Sequence, residues 1–216
     1  MTAQTAYTSA HTSAPFWDKL ARKYARQKIG NVPAYEQTLS QTRAYLKPTD
    51  NVLEVGAGTS STALRLAPSV ARYVASDISA EMVQIGQEKL AQLPDSNLSI
   101  VQGTLGDPAL GDGPYDAVLA FNLLHLVPDP VSDIGRAFAL LKPGGMFISK
   151  TGCLSGRYAL LRPLIGAMQL VGKAPHVTFM SPKSLARMIT DAGFQILEAN
   201  NPSGAQTGHF IAARKP

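Results

Sequence analysis

Two carboxylates, Glu54 and Asp77, stand on either side of the stretch that carries the most chemistry in this chain. In Asn51-Val-Leu-Glu-Val-Gly-Ala-Gly-Thr-Ser-Ser-Thr62 an apolar run ends in Gly56-Ala57-Gly58. Glycines there let the backbone turn sharply and lie against a ligand that any Cβ would push away. A diphosphate-binding turn wants a third glycine three residues on, and Ser61 holds that place. Glu54, two residues before the first glycine, is badly placed against a diphosphate and well placed near an ammonium or sulfonium. Asp77 follows the glycines at about the twenty-residue spacing at which a carboxylate takes both hydroxyls of a ribose. A ribose and a cation without a diphosphate describe S-adenosylmethionine.

Further candidates fall at the ends of other apolar runs: Thr104 with Leu105, and Asn122 to His125. In an open α/β sheet the ligand sits beyond the carboxyl ends of the strands, so these residues are expected to converge with the glycine turn on one crevice. Ile78 and Met82 are placed to sandwich adenine. His125 is the strongest candidate for a general base, needed only when the acceptor arrives protonated. Tyr24 is a candidate to close over the methionine end, with Trp17, His176 and His209 behind it. Cys153 reads as a small buried apolar group. No His, Cys and carboxylate cluster has metal-ligand spacing, so no metal is expected.

The elements that must hold these residues alternate. Strands are expected at Asn51–Gly56, Arg72–Ile78, Leu98–Thr104, Tyr115–Asn122 and Met146–Thr151, separated by helix-length segments, as a doubly wound sheet requires. Thr59 and Ser60 are N-cap candidates for a helix over Ser61–Ala67, and Ser79 for one over Ala80–Leu93. Another helix is expected from Val131 to Leu141, followed by a Pro143-Gly144-Gly145 turn into the fifth strand. Ser181 to Phe194 reads as a capped helix with a glycine stop. Two last strands, Gln195–Asn200 and His209–Arg214, should pair through Pro202–Gly208. Upstream, the patterns over Pro15–Lys28 and Ala34–Leu46 predict two helices outside the sheet, a lid over residues 16–47.

Glu54-Val-Gly-Ala-Gly-Thr, Asp77, Tyr115-Asp-Ala-Val-Leu-Ala-Phe-Asn-Leu-Leu-His, Leu141-Lys-Pro-Gly-Gly-Met-Phe and Ala192-Gly-Phe together resemble the ordered landmarks of class I S-adenosylmethionine-dependent methyltransferases. The resemblance covers roughly residues 16–216. It implies an α/β fold, a doubly wound Rossmann-like seven-stranded sheet of five parallel strands plus a C-terminal antiparallel hairpin. It implies S-adenosylmethionine as cofactor, held by Glu54, Gly56, Ala57, Gly58, Asp77, Ile78, Met82, Thr104, Leu105 and Asn122. Two departures stand out: Ser60 replaces a frequent further glycine, and Gly103-Thr104-Leu105 lacks the acidic residue that many members offer to the adenine amine. Adenine is then left to backbone groups and apolar packing.

With 216 residues, 45% hydrophobic and 16% charged, the chain is expected to form a single domain over 16–216, with residues 1–15 as a flexible tail and 154–180 as a cap insertion. One cysteine permits no intrachain disulfide and points to a reducing cytoplasm. The formal charge of +5 is uneven: residues 1–49 carry +5, residues 50–133 carry −8 and residues 134–190 carry +8 with no acid at all. An acidic centre favours a cationic cofactor, and basic flanks suit an anionic or membrane-surface partner. The apolar arc of 154–179, broken by Arg157, Arg162 and Pro163, is no membrane span; it suits an apolar acceptor pocket or a homodimer face. The expected function is methyl transfer to a small, apolar or amphipathic acceptor. Peripheral membrane contact stays open, and nothing suggests stacking on nucleic acid bases. Two alternatives remain: an NAD(P)-dependent oxidoreductase, and a non-catalytic module binding the cofactor or a lipid.

Overall fold

The computed structural model describes residues 13–93, 95–111, 113–201 and 208–216. Most of the expected tail and of the Pro202–Gly208 loop lies outside the described residues. The seven strands are β1 (Asn51–Val55), β2 (Arg72–Asp77), β3 (Leu98–Gln102), β4 (Tyr115–Phe121), β5 (Leu141–Gly152), β6 (Gln195–Asn200) and β7 (Gly208–Arg214), in one sheet ordered β3-β2-β1-β4-β5-β7-β6. Strands β1 to β5 are parallel, and β7 runs antiparallel to both β5 and β6. The strand order turns back between β1 and β4, so the crevice beyond Val55 and Phe121 is the topological switch point where ligands of open α/β sheets bind.

The helices are α1 (Ala14–Ala25), α2 (Val32–Arg43), α3 (Ala63–Leu66), α4 (Ala80–Leu90), α5 (Pro130–Leu140), α6 (Arg162–Leu170) and α7 (Pro182–Asp191). Side chains alternate across each strand, and both faces are buried. Leu53, Val74, Val118 and Phe147 pack with Ile134 of α5 and Leu185 of α7 on one side. Val52, Tyr73, Leu119 and Ile148 pack with Leu39 of α2, Leu66 of α3 and Val83 of α4 on the other. The expected glycine-stopped helix is α7: Ser181 and Ser184 form a reciprocal capping box, and Gly193 leaves it at φ 101°.

Two local expectations are corrected. The helix expected over Ser61–Ala67 is only Ala63–Leu66, passing into a 3-10 turn at Ala67–Ser69, and neither Thr59 nor Ser60 caps it. Ser60 instead sits at φ 57°, and its buried hydroxyl has no partner. That tight arrangement depends on α4, since a Cβ on Gly86 would lie 2.8 Å from Ser60 Oγ. Thr59 is used sideways, its hydroxyl and carbonyl both accepting from Lys89 Nζ at 2.9 Å. Second, Pro143-Gly144-Gly145 is no free turn before β5. The strand already begins at Leu141 opposite Tyr115, with an irregular step to Met146 opposite Ala117. Gly144 N–H donates to the Lys215 carbonyl, and Lys215 N–H to the Gly145 carbonyl, both at 2.8 Å. The chain end thereby pairs with a stretch whose sequence alone reads as loop.

The two upstream helices lie outside the sheet. Ala21 and Trp17 of α1 pack on Met82 and Ile85 of α4. Asp18 Oδ1 accepts from Ser79 Oγ at 2.6 Å and from Glu81 N–H at 3.2 Å, while Arg22 reaches Glu88 at 2.8 Å. Helix α1 is thus latched over the carboxyl end of β2. Among the described residues no helix is long and apolar enough to cross a membrane.

Candidate active site

A cavity of about 410 Å³ opens at the switch point, within the size range of small-ligand sites. All twelve residues expected at the site line it: Tyr24, Glu54, Gly56, Ala57, Gly58, Asp77, Ile78, Met82, Thr104, Leu105, Asn122 and His125. Trp17 lines it as well, whereas His176, His209 and the whole of 154–180 do not. The sequence-based assignment of the cap to an acceptor pocket is therefore not met by this cavity, because the segment packs outside it.

The glycine turn is built as its spacing suggests. Gly56 and Gly58 have φ of 65° and 56°, a region that side-chain-bearing residues seldom adopt. The turn is stitched to β2: Ala57 N–H donates to the Ser76 carbonyl at 2.9 Å, and Gly58 N–H to Asp77 Oδ2 at 2.7 Å. Asp77 Oδ1 accepts from Ser79 N–H at 2.9 Å. The carboxylate is held rigidly by the two amides, and each oxygen keeps a lone pair for a further donor. Burial pushes the Asp77 pKa up, against the pull of the Ser79, Gly58 and Ile78 amides, with Asp18 adding to the rise.

Glu54 is 2% exposed, and its Oε2 accepts from Tyr73 OH at 2.7 Å. Burial pushes its carboxyl up to about 7; the Tyr73 bond opposes the rise and the Asp77 charge adds to it. The cavity lining holds four carboxylates, Glu54, Asp77, Asp129 and Asp133, against one cation, Arg136. Such a lining favours a positively charged guest.

Ile78, Met82, Gly103, Thr104 and Leu105 line the side toward β3, and Thr104 Oγ1 itself is buried with no hydrogen-bond partner among the described residues. Sequence reading missed the far wall, which is the start of α5. Asp129 caps that helix through Ser132 N–H at 3.0 Å. Asp133 lies 3.3 Å from Arg136 Nη1, which also donates to the Leu105 carbonyl at 3.3 Å. Burial pushes the Asp133 carboxyl up to about 6, opposed by Arg136 and aided by Asp129. The available signal was positional: Pro128-Asp129-Pro130, a helix start, is separated from the end of β4 by only six residues.

At the end of β4, Asn122 adopts φ 54°, and its N–H donates to the Lys150 carbonyl at 2.6 Å. A left-handed residue at a strand end is a strain that functional sites tolerate. His125 stands over Gly152, where an added Cβ would meet the ring at 3.1 Å, and Gly152 N–H donates to His125 Nδ1 at 3.3 Å. Burial lowers the His125 pKa, so the ring is neutral. A neutral imidazole that accepts at Nδ1 carries its proton on Nε2. The Gly152 N–H thus occupies the Nδ1 lone pair of a ring that lines the cavity. Tyr24 reaches in from α1, its phenol raised by burial and by the Asp77 charge. Among the described residues no group of three His, Cys, Asp or Glu side chains is arranged to hold a metal.

Comparison with known proteins agrees with this geometry. Residues 21–199 match the family model described as a methyltransferase domain. The ubiquinone biosynthesis O-methyltransferase of Xanthomonas axonopodis pv. citri is 30% identical over 169 residues, covering 73% of this chain and 68% of that protein. A highly reducing polyketide synthase of Alternaria alternata is 32% identical over 126 residues, which are 51% of this chain and only 5% of that far longer protein. Among solved structures, magnesium protoporphyrin IX methyltransferase from Synechocystis PCC 6803 with bound SAH superimposes with a TM-score of 0.71. At 19% identity, covering 95% of this chain and 97% of the other, that likeness is one of fold.

Proposed function

The chain belongs to the methyltransferase-domain family, and from that premise we propose that it methylates a small, apolar or amphipathic acceptor with S-adenosylmethionine bound at the switch-point cavity. The observation that carries this reading is the lining itself: a turn with two glycines at positive φ, two buried carboxylates beside it and the apolar Ile78, Met82 and Leu105 beyond. Those features fit the donor's chemistry. Glu54 answers the cationic methionine end, Asp77 the ribose hydroxyls, and Ile78, Met82 and Leu105 the adenine faces, with Thr104 at the adenine edge. Gly56, Ala57, Gly58 and Asn122 present backbone to the middle of the molecule.

S-adenosylmethionine supplies a methyl carbon on a sulfonium, so the acceptor atom bonds to that carbon as the carbon–sulfur pair returns to sulfur. What this chain contributes is placement, an effect worth about 7–11 kcal/mol in well-oriented reactions. Helix α1 brings Trp17 and Tyr24 to the cavity wall. His125 Nε2–H orients an acceptor oxygen by donating to it. An acceptor that arrives protonated loses its proton to water or to its own neighbouring groups in this reading, because the Gly152 bond fixes the imidazole in the donor tautomer.

The ubiquinone and porphyrin names attached to relatives support an acceptor with a flat ring and apolar substituents. The single buried thiol of Cys153 supports work in a reducing compartment, the cytoplasm. The nicotinamide alternative has no support left once the family is established. Titration of the purified chain with S-adenosylhomocysteine, then a screen of phenolic, quinol and carboxylate acceptors for its release from S-adenosylmethionine, tests the proposal. Absence of binding to either form of the cofactor overturns it. Binding without turnover on any acceptor favours the non-catalytic module instead.

A further inference from the structure

Twelve large apolar side chains are exposed among the described residues, and six of them, Leu160, Leu161, Leu164, Met168, Leu170 and Val171, fall within residues 160–171. Leu164 and Met168 share one face of α6 four residues apart, with Leu160 in the 3-10 segment before the helix and Val171 at its end. Helix α6 contributes no buried residue at all, and Leu160 and Leu170 are 82% and 90% exposed. An apolar concentration of this kind marks an interaction surface; scattered single leucines do not.

The same face is basic. Residues 154–180 contain Arg157, Arg162 and Lys173 and no acidic residue. A second cleft, about 680 Å³, lies between α1 and the end of α6 and is lined by Phe16, Lys19, Leu20, Lys173, Pro175 and His176. Among the described residues neither Lys19 nor Lys173 has an ion-pair partner. Ser13 lines this cleft and the switch-point cavity alike, so the two openings adjoin.

We propose that the face made by α1 and residues 156–176 docks on an anionic lipid bilayer. The side chains of 160–171 enter the acyl boundary, and Lys19 and Lys173 take headgroup phosphates in the cleft. The purpose, though not the surface itself, rests on the reading of an apolar acceptor: docking opens the cavity toward the phase in which such an acceptor dissolves. An amphipathic segment with cations at its edge is the arrangement that lies in a membrane interface. A second copy of the chain fits less well, since a self-paired face would set Lys19, Arg162 and Lys173 against cations. A small soluble anion would fill the cleft and leave the leucines bare.

The test uses the full chain and vesicles of phosphatidylcholine, with or without phosphatidylglycerol, in a sedimentation assay at low salt. The protein should follow the mixed vesicles and not the neutral ones. Lys19→Gln and Lys173→Gln should each lower the partition about fivefold, and Leu164→Ser with Leu170→Ser should lower it at least about tenfold. All three variants should bind S-adenosylhomocysteine like the parent, which shows that they fold. No partition into the mixed vesicles, or equal partition into neutral ones, overturns the proposal. So does displacement by soluble glycerol phosphate, which would mean a small-anion site, or a dimer that the leucine variants split in ultracentrifugation. Loss of S-adenosylhomocysteine binding by the parent would strike the methyl-transfer reading and leave the vesicle result standing.

Discussion

Glu54 makes cofactor affinity a function of pH, and the size of the effect follows from its surroundings. The carboxyl sits at 2% exposure with Tyr73 as its donor, and burial brings it to about 7. A cationic methionine end needs the ionised form. With a pKa near 7, about 9% of the free protein is ionised there at pH 6 and about 76% at pH 7.5. Binding of S-adenosylmethionine should therefore tighten about eightfold between those values, or about 1.2 kcal/mol. Glu54→Gln fixes the neutral form with nearly the same shape, so it should bind at every pH more weakly than the parent does at pH 6 and show no slope. Asp133, at about 6, lies in the same cavity and titrates nearby, so Asp133→Asn is the necessary control and should keep most of the slope. Isothermal titration with S-adenosylmethionine across this range provides the measurement. A flat profile for the parent, or an unchanged slope in Glu54→Gln, refutes the role given to this carboxylate.

The same group links pH to stability without ligand. Its folded pKa of about 7 lies above the ordinary 4.5, so the folded state holds the proton longer; stability from this group is full below about 4.5 and is lost as pH rises through about 7, by about 3 kcal/mol, and denaturant melts of Glu54→Gln should lose that slope. Asp77→Ala removes the acceptor of the Gly58 and Ser79 amides, so it should cost about 1–3 kcal/mol of stability and at least about tenfold in S-adenosylhomocysteine affinity, with Asp77→Asn retaining part of the former. His125→Gln keeps a donor and should retain most turnover, while His125→Ala should not; equal loss in both, together with an acid limb in the parent that both variants abolish, would restore His125 as a base. Ser60→Gly suits the φ of 57° and should stabilise the fold by about 1 kcal/mol. Gly86→Ala alone should destabilise by about 1–3 kcal/mol, and the two together should show strong coupling in a double-mutant cycle.

Strands were the most legible part of the sequence, because runs such as Leu53-Glu-Val and Val118-Leu-Ala end in residues that must turn. The twelve expected lining residues meet in one cavity for the same reason: every strand of a parallel sheet delivers its last residue to one edge. Local conformations set by partners distant in the chain were not legible. Ser60 has the composition of a helix cap and becomes a left-handed turn because Gly86, on another helix, leaves room for it. Gly144 and Gly145 look like loop and are recruited into β5 by Lys215 at the other end of the chain. Asp133 and Arg136 entered the site through the direction in which α5 packs, which no pattern within 128–136 specifies. The leucines of 160–171 read as an excess of apolar surface, but that α6 buries none of its residues is decided by its place in the fold and not by its sequence.

One hydroxyl serves two masters in this architecture. Ser79 Oγ donates to Asp18 on α1 at 2.6 Å and accepts from Met82 N–H at 3.1 Å, the bond that starts α4. Swinging α1 aside to admit a fresh cofactor must then disturb the very residue that anchors Met82, so entry and adenine contact are mechanically geared. Spent cofactor leaves fastest when the gate opens, and the gate opens most readily when the cofactor's grip on Met82 has already slackened. Asp18→Ala, which removes the bond from α1 to Ser79, should quicken the dissociation of S-adenosylhomocysteine.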